Sequence, residues 1–357
     1  MEFHVPYLKM LKEMGWETAV AARNDYEDPD ECSIPYCDQY YDVPFERNPL
    51  KPGNLKAYSL LKKIIDRGKY DIIHCHTPVG GLLTRLAAGK VRKNGTKVFY
   101  TAHGFHFYTG APLINWLAYY PVERFLAHKT DVLITINSED YRRAKSFKAG
   151  KVVYVPGIGV DIAKFKQENC DPEKIKMELG LNQDDFVILS VGEVNKNKNH
   201  RIIIEALPSF PDYYFVLCGQ GPLMDELKEK ASRLGVGNRV IIAGYQKDVA
   251  KFYQMADLFV FPSLREGLPV ALMEAMSADL LCVAAQNRGT NDLLPDSKLK
   301  FEAKNLNDLI DKLYMVEKSD CTEEIRKNRE TIKKFDLKNS LSLVKDLYLS
   351  FPKYHVL

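Results

Sequence analysis

Residues Asp257 to Met276 read DLFVFPSLREGLPVALMEAM, and two different periodicities meet in them. The apolar and aromatic run DLFVFPS has the character of a buried strand that ends at Phe261, Pro262 and Ser263, whereas VALMEAM carries its apolar residues at helical spacing. Pro269 suits a helix start because it has no amide hydrogen to leave unpaired. The stretch therefore reads as strand, Gly-Leu-Pro turn and helix, with Glu266 in the turn and Glu274 one turn into the helix. Free amides and the positive dipole end at such a helix start attract phosphate, and a carboxylate on each side accepts hydrogen bonds from hydroxyls. Spacing alone does not establish a site, because a chain with 47 acidic residues holds other pairs at the same separation, and a solvated helix face is the plain alternative.

Outward from this stretch the same alternation fills the chain. Strand-like ETAVAAR, DIIHCH, KVFYTAHG and DVLITIN are separated by helical patterns over Asn54 to Gly68, Gly80 to Val91, Leu113 to His128 and Glu139 to Lys148. After KVVYVPGIGVD a second series begins with FVILSVGE and runs through YYFVLCG, RVIIAGY, DLFVFPS and LLCVAA, closing with helical Leu306 to Lys318 and Leu337 to Leu349. Strand–helix alternation implies parallel sheets covered on both faces. The proline and glycines at Pro156, Gly157 and Gly159 place a hinge between two α/β domains, over 1–154 and 155–335, with 336–357 as a closing helix expected to pack back on the first domain. No internal repeat stands out.

Composition narrows the class. The chain has 357 residues with 46% hydrophobic content, enough for two cores. A net charge of +3 is too mild for a dedicated nucleic-acid binder, and no nucleic-acid motif appears, although a slightly basic surface suits anionic substrates or an anionic membrane face. Seven scattered cysteines without paired CxxC spacing point to a reducing cytosol and to no structural zinc. No apolar run of ~18 residues is present, and MEFHVPYLKM lacks the regions of a signal peptide, so a cytoplasmic protein, soluble or peripheral at the inner membrane face, is expected. PLINWLAYYPVERFLAH, Pro112 to His128, reads as a core helix pair, with an interfacial anchor as the alternative. The basic residues of LKAYSLLKKIIDR read first as a solvated face.

Several further residues carry chemistry. His103 and Gly104 in KVFYTAHGFHFYTGAP fall just past a strand end, where open α/β sheets bind ligands. A histidine there can hydrogen-bond a hydroxyl or phosphate and exchange protons near neutral pH, or serve a structural role. His74, His76 and His106 raise the question of a metal; with no acidic partner nearby, none is expected. In SVGEVNKNKNH, Gly192 permits a close backbone approach, and Lys198, with Lys196 as a second candidate, can neutralise pyrophosphate oxygens. CGQGPL lacks the third glycine of a dinucleotide fingerprint. Asn137, Asp140 and Asp161 are explained by helix capping as well as by ligand contact.

Through TAHGFHFYTGAP, LREGLPVALMEAM and the glutamate pair, the chain resembles the retaining glycosyltransferases of family 4 along nearly its whole length, and within them the bacterial capsule and exopolysaccharide transferases. The resemblance implies a GT-B fold of two Rossmann-like domains facing across a cleft. It further implies a nucleotide-sugar donor, UDP-linked by expectation, a lipid-linked or oligosaccharide acceptor, and independence from metals and cofactors. By the same resemblance the catalytic residues are His103, Glu266 and Lys198. Donor-binding residues are Gly192, Lys198, Glu266, Gly267, Leu268, Pro269 and Glu274, with Gly244, Tyr245 and Gln246 at the nucleobase. Two departures stand out. Glu193 occupies the place where many relatives carry Arg, and Met1 falls at the helix that relatives reach only after a first strand, so that strand is expected to be absent. A nucleotide-sugar-binding subunit without transfer activity is accordingly the alternative, and a UDP-sugar epimerase of the same fold the third reading.

Overall fold

The computed structural model describes residues 4–26, 32–166 and 171–351; Met1 and Cys170, which enter the sequence reading, lie outside them. The chain forms two compact units, Met1–Ile158 with Lys338–Leu357, and Gly159–Leu337. The divisions fall four residues past the hinge placed at 154/155 and two past that at 335/336.

In the first unit, β1 (Ala19–Ala22) pairs in parallel with β2 (Gln39–Asp42). A separate parallel sheet runs β3-β4-β5-β6, built from Ile72–His76, Lys97–Ala102, Val132–Thr135 and Lys151–Tyr154. β1 and β3 do not pair; a cavity of about 880 Å³ opens between them, lined on its two sides by Ala19–Ala22 and Ile72–His76. The helix Gly53–Gly68 buries Ala57, Leu61 and Ile65, the i, i+4, i+8 positions of one face, against Val79, Leu83 and Val98. From the closing helix Leu337–Leu349, Val344, Leu347 and Tyr348 pack on Met10, Phe99, Val132 and Ile134.

Pro112 to His128 departs from the expected core helix pair. It forms one helix, Leu113–Ala127, that continues through Pro121 and leaves Leu113, Ile114, Leu117 and Phe125 between 57% and 73% exposed. A polar residue anchors it: Glu123 takes a bidentate ion pair from buried Arg85, at 2.8 and 3.0 Å, and Arg85 lies 3.8 Å over the Tyr100 ring.

The second unit carries one six-stranded parallel sheet. Its strands are β7 (Phe186–Val191), β8 (Tyr213–Cys218), β9 (Val240–Gly244), β10 (Leu258–Phe261), β11 (Cys282–Ala285) and β12 (Lys300–Phe301). Their order across the sheet is β12-β11-β10-β7-β8-β9. Strand order across the sheet therefore reverses between β7 and β10, the switch point at which open α/β sheets form a ligand crevice beyond the carboxyl ends of the strands. Ile188, Phe215, Leu217, Leu258, Val260 and Val283, all buried, fill one face. β10 is followed by the turn and by the helix Val270–Ser277, with Pro269 at its N-cap.

Candidate active site

The crevice of the second unit gathers the residues expected to hold a donor. β7 ends at Val191, and Gly192 follows with φ +152, a conformation that L side chains rarely adopt. Behind it the backbones close up: a Cβ at Gly219 would stand 1.9 Å from the Gly192 carbonyl oxygen. The loop then brings Lys198 Nζ to 2.7 Å from Glu266 Oε1, an ion pair whose side chains remain 22% and 16% exposed. Lys198 Nζ also stands 5.2 Å from the centroid of the Phe261 ring.

Glu266 is held from several sides. Ser263 Oγ donates to the same carboxylate oxygen, and Asn197 Nδ2 donates to Ser263 Oγ at 3.2 Å and to the Arg265 carbonyl at 3.0 Å. Arg288 Nε donates to the Glu266 carbonyl at 3.0 Å. Gly289 lets the turn approach that closely, since a Cβ there would lie 2.8 Å from Pro269 Cδ and 2.9 Å from the Gly267 carbonyl oxygen. Asn197, Ser263 and Arg288 were not among the candidates. Ser263 and Asn197 adjoin candidate residues in sequence, but the contacts of Asn197 with Ser263 and Arg265, and of Arg288 with Glu266, arise only where the β7, β10 and β11 ends meet.

Glu274 has another environment. Tyr253 donates to its Oε2 at 2.9 Å, and burial pushes its carboxyl up to about 7 despite that bond and the charge of Lys164. Gly244, at the end of β9, has φ +72 and accepts from Gly219 N at 2.7 Å; Gln246 Nε2 donates to the Ala243 carbonyl at 2.6 Å, and Tyr245 is 65% exposed. Lys196 and Glu193 are exposed on the loop after β7 that carries Lys198.

In the first unit, His103 lies one residue beyond β4, with Gly104 at φ +142. Its Nε2 is 3.1 Å from His76 Nδ1. Burial lowers the His103 imidazole to about 4 and His74 to about 3, so both are neutral near pH 7. His74 bonds Tyr348 Oη and Thr101 Oγ1, each at 2.7 Å, while His106 stacks on Tyr119. Asn137 and Asp161 are helix caps, and Asp140 accepts from Phe105 N at 2.9 Å, which fixes the loop carrying His103.

A parallel sheet with its reversal point beside its first strand, a lysine–carboxylate pair at that point and a short helix following it are the features of a Rossmann-like ligand-binding domain, as in the GT-B class. Family comparison agrees. Residues 171–334 match the model for glycosyl transferases group 1, and residues 7–157 match the glycosyl transferase 4-like domain. The chain is 42% identical to EpsD of Bacillus subtilis, a protein assigned as a glycosyltransferase, over 84% of this chain and 79% of that one. It is 30% identical, over 83% and 79%, to the UDP-Gal:alpha-D-GlcNAc-diphosphoundecaprenol alpha-1,3-galactosyltransferase of Escherichia coli. Among solved structures, HepE of Anabaena in complex with UDP and glucose has a TM-score of 0.78 at 18% identity, covering 98% of this chain and 96% of that one. The chain belongs to the group 1 glycosyltransferases, glycosyltransferase family 4, and it is a glycosyltransferase.

Proposed function

We propose that the chain transfers a hexose, with retention at the anomeric carbon, from a UDP-linked donor to a lipid-linked or oligosaccharide acceptor in the assembly of a cell-surface polysaccharide. One observation carries this reading: Lys198, Glu266, Ser263 and Asn197 converge at the reversal point of the second sheet, directly before the helix that bears Glu274. The names of the relatives support UDP as the nucleotide and a diphosphoundecaprenol-linked sugar as an acceptor type.

In the proposed mechanism, Glu274 accepts the ribose hydroxyls, and the backbone at Gly244, Tyr245 and Gln246 meets the base. Glu266, with the amides of Gly267 and Leu268 and the turn set by Pro269, holds the donor sugar and phosphate. Lys198 and the start of the helix Val270–Ser277 stabilise the diphosphate as it leaves from Gly192's side of the crevice. His103 orients the sugar, and the leaving phosphate takes the acceptor's hydroxyl proton; no metal or cofactor takes part. The exposed apolar residues of Leu113–Ala127, next to Arg124 and Lys129, support a peripheral contact with an anionic membrane. No helix among the described residues is long and apolar enough to cross one.

The test is transfer from UDP-hexoses to a polyprenyl-diphosphate-linked sugar by the purified chain. Glycoside formation that disappears in Glu266→Ala is expected; an isomerised sugar nucleotide as product would replace the reading with an epimerase. A second reading, nucleotide-sugar binding without transfer, is favoured by the separation of β1 from β3 and by Glu193. UDP binding without glycoside formation or donor hydrolysis would select it.

A further inference from the structure

We propose that His4, His76 and His103 form a binding site for one borderline transition-metal cation, with Zn2+ as its natural probe. His76 is the last residue of β3, His103 follows β4, and His4 stands at the N-cap of the helix Val5–Glu13. Three separate elements of the first unit thus aim imidazoles at one point, where a ring nitrogen from each lies within 4.8 Å of the other two. His76 Nδ1 and His103 Nε2 are already 3.1 Å apart. Ligand atoms around a tetrahedral zinc with bonds of about 2.0–2.1 Å stand roughly 3.4 Å from one another, so only the third imidazole has to draw in.

The surroundings support the assignment. His74 lies beside His76 with ring centroids 4.4 Å apart and planes tilted by 30°, but both of its nitrogens are committed to Tyr348 and Thr101, so it backs the site without being a ligand. Three imidazoles without carboxylate favour Zn2+, Co2+ or Ni2+ over Ca2+ or Mg2+. All three residues line the cavity between β1 and β3, which leaves a fourth position for water. An occupied site ties up the His103 nitrogen, so the ion is an occluding ligand. That consequence alone rests on the role proposed for His103.

The experiment titrates the tag-free, full-length chain with Co2+, read by its visible absorption, and with Zn2+, read by calorimetry. Expected are one ion per chain, a tetrahedral Co2+ spectrum bleached by Zn2+, and a loss of affinity of more than tenfold in His4→Ala and in His76→Ala. His106→Ala binds as the wild type does. Absence of stoichiometric binding, or binding that survives both substitutions, overturns the site. Should His76→Ala fail to fold by circular dichroism, His4→Ala decides alone. UDP affinity is measured alongside: its loss counts against the proposed function and leaves the metal site standing.

Discussion

Glu266 and Glu274 look alike in sequence, yet their surroundings give them different work. Glu266 shares one oxygen with Lys198 and Ser263, whereas Glu274 is buried against Tyr253. Lys198→Ala removes the charge proposed to stabilise the departing diphosphate. It should cut kcat by a factor that corresponds to about 2–4 kcal/mol, with a smaller change in KM, as steady-state kinetics would show. Glu274→Ala should weaken UDP by a similar amount in calorimetry, and equal binding by the two proteins would refute its ribose role. Glu274 also makes stability depend on pH. Its carboxyl rises from 4.5 to about 7 on folding, so the folded chain holds the proton more tightly. The resulting stabilisation is complete below about 4.5 and disappears as pH rises through about 7. Urea denaturation across that window should show a falling stability that Glu274→Gln flattens. The glutamates, Gly192 and Lys198 were singled out because short contiguous motifs present them as ligand groups; Ser263 and Asn197 lie in the same motifs but act by supporting Glu266, and Arg288 meets the Glu266 carbonyl from 22 residues away, which only the fold reveals.

Among the elements, long amphipathic or wholly apolar segments were readable and short or charged ones were not. β2 is four residues, QYYD, without an alternating pattern, and the helix Thr322–Ile332, TEEIRKNRETI, has two apolar residues in eleven. Their stability comes from tertiary packing that no local window contains. Leu113–Ala127 shows the opposite error. Apolar content suggested burial, but the burial signal was Glu123, whose partner Arg85 is distant in sequence and 1% exposed. Arg85→Leu leaves a carboxylate buried without its partner and should cost about 3–5 kcal/mol in urea denaturation, much of it recovered in Arg85→Met with Glu123→Leu. On the exposed face proposed as the membrane contact, Leu117→Ser with Phe125→Ser should lower flotation with anionic vesicles and leave UDP binding unchanged.

At the scale of the whole molecule, the two units have separate cores, and the residues proposed to hold the nucleotide all belong to Gly159–Leu337. UDP at ~100 times its Kd should therefore stabilise by about 2.7 kcal/mol the transition of that unit only, visible in scanning calorimetry as one peak moving past another. Movement of both peaks together would show that the units unfold as one. The sequence by itself determined the α/β alternation and the existence of two units, and it presented the motif proposed to hold the donor, because periodicity and turn chemistry are local and repeat along the chain. Tertiary structure alone decided three things: strand order, with the crevice it opens; which polar groups pair across it; and the meeting of His4, His76 and His103. Those depend on which strand ends lie side by side, and sheet order is set by packing among segments far apart in the chain.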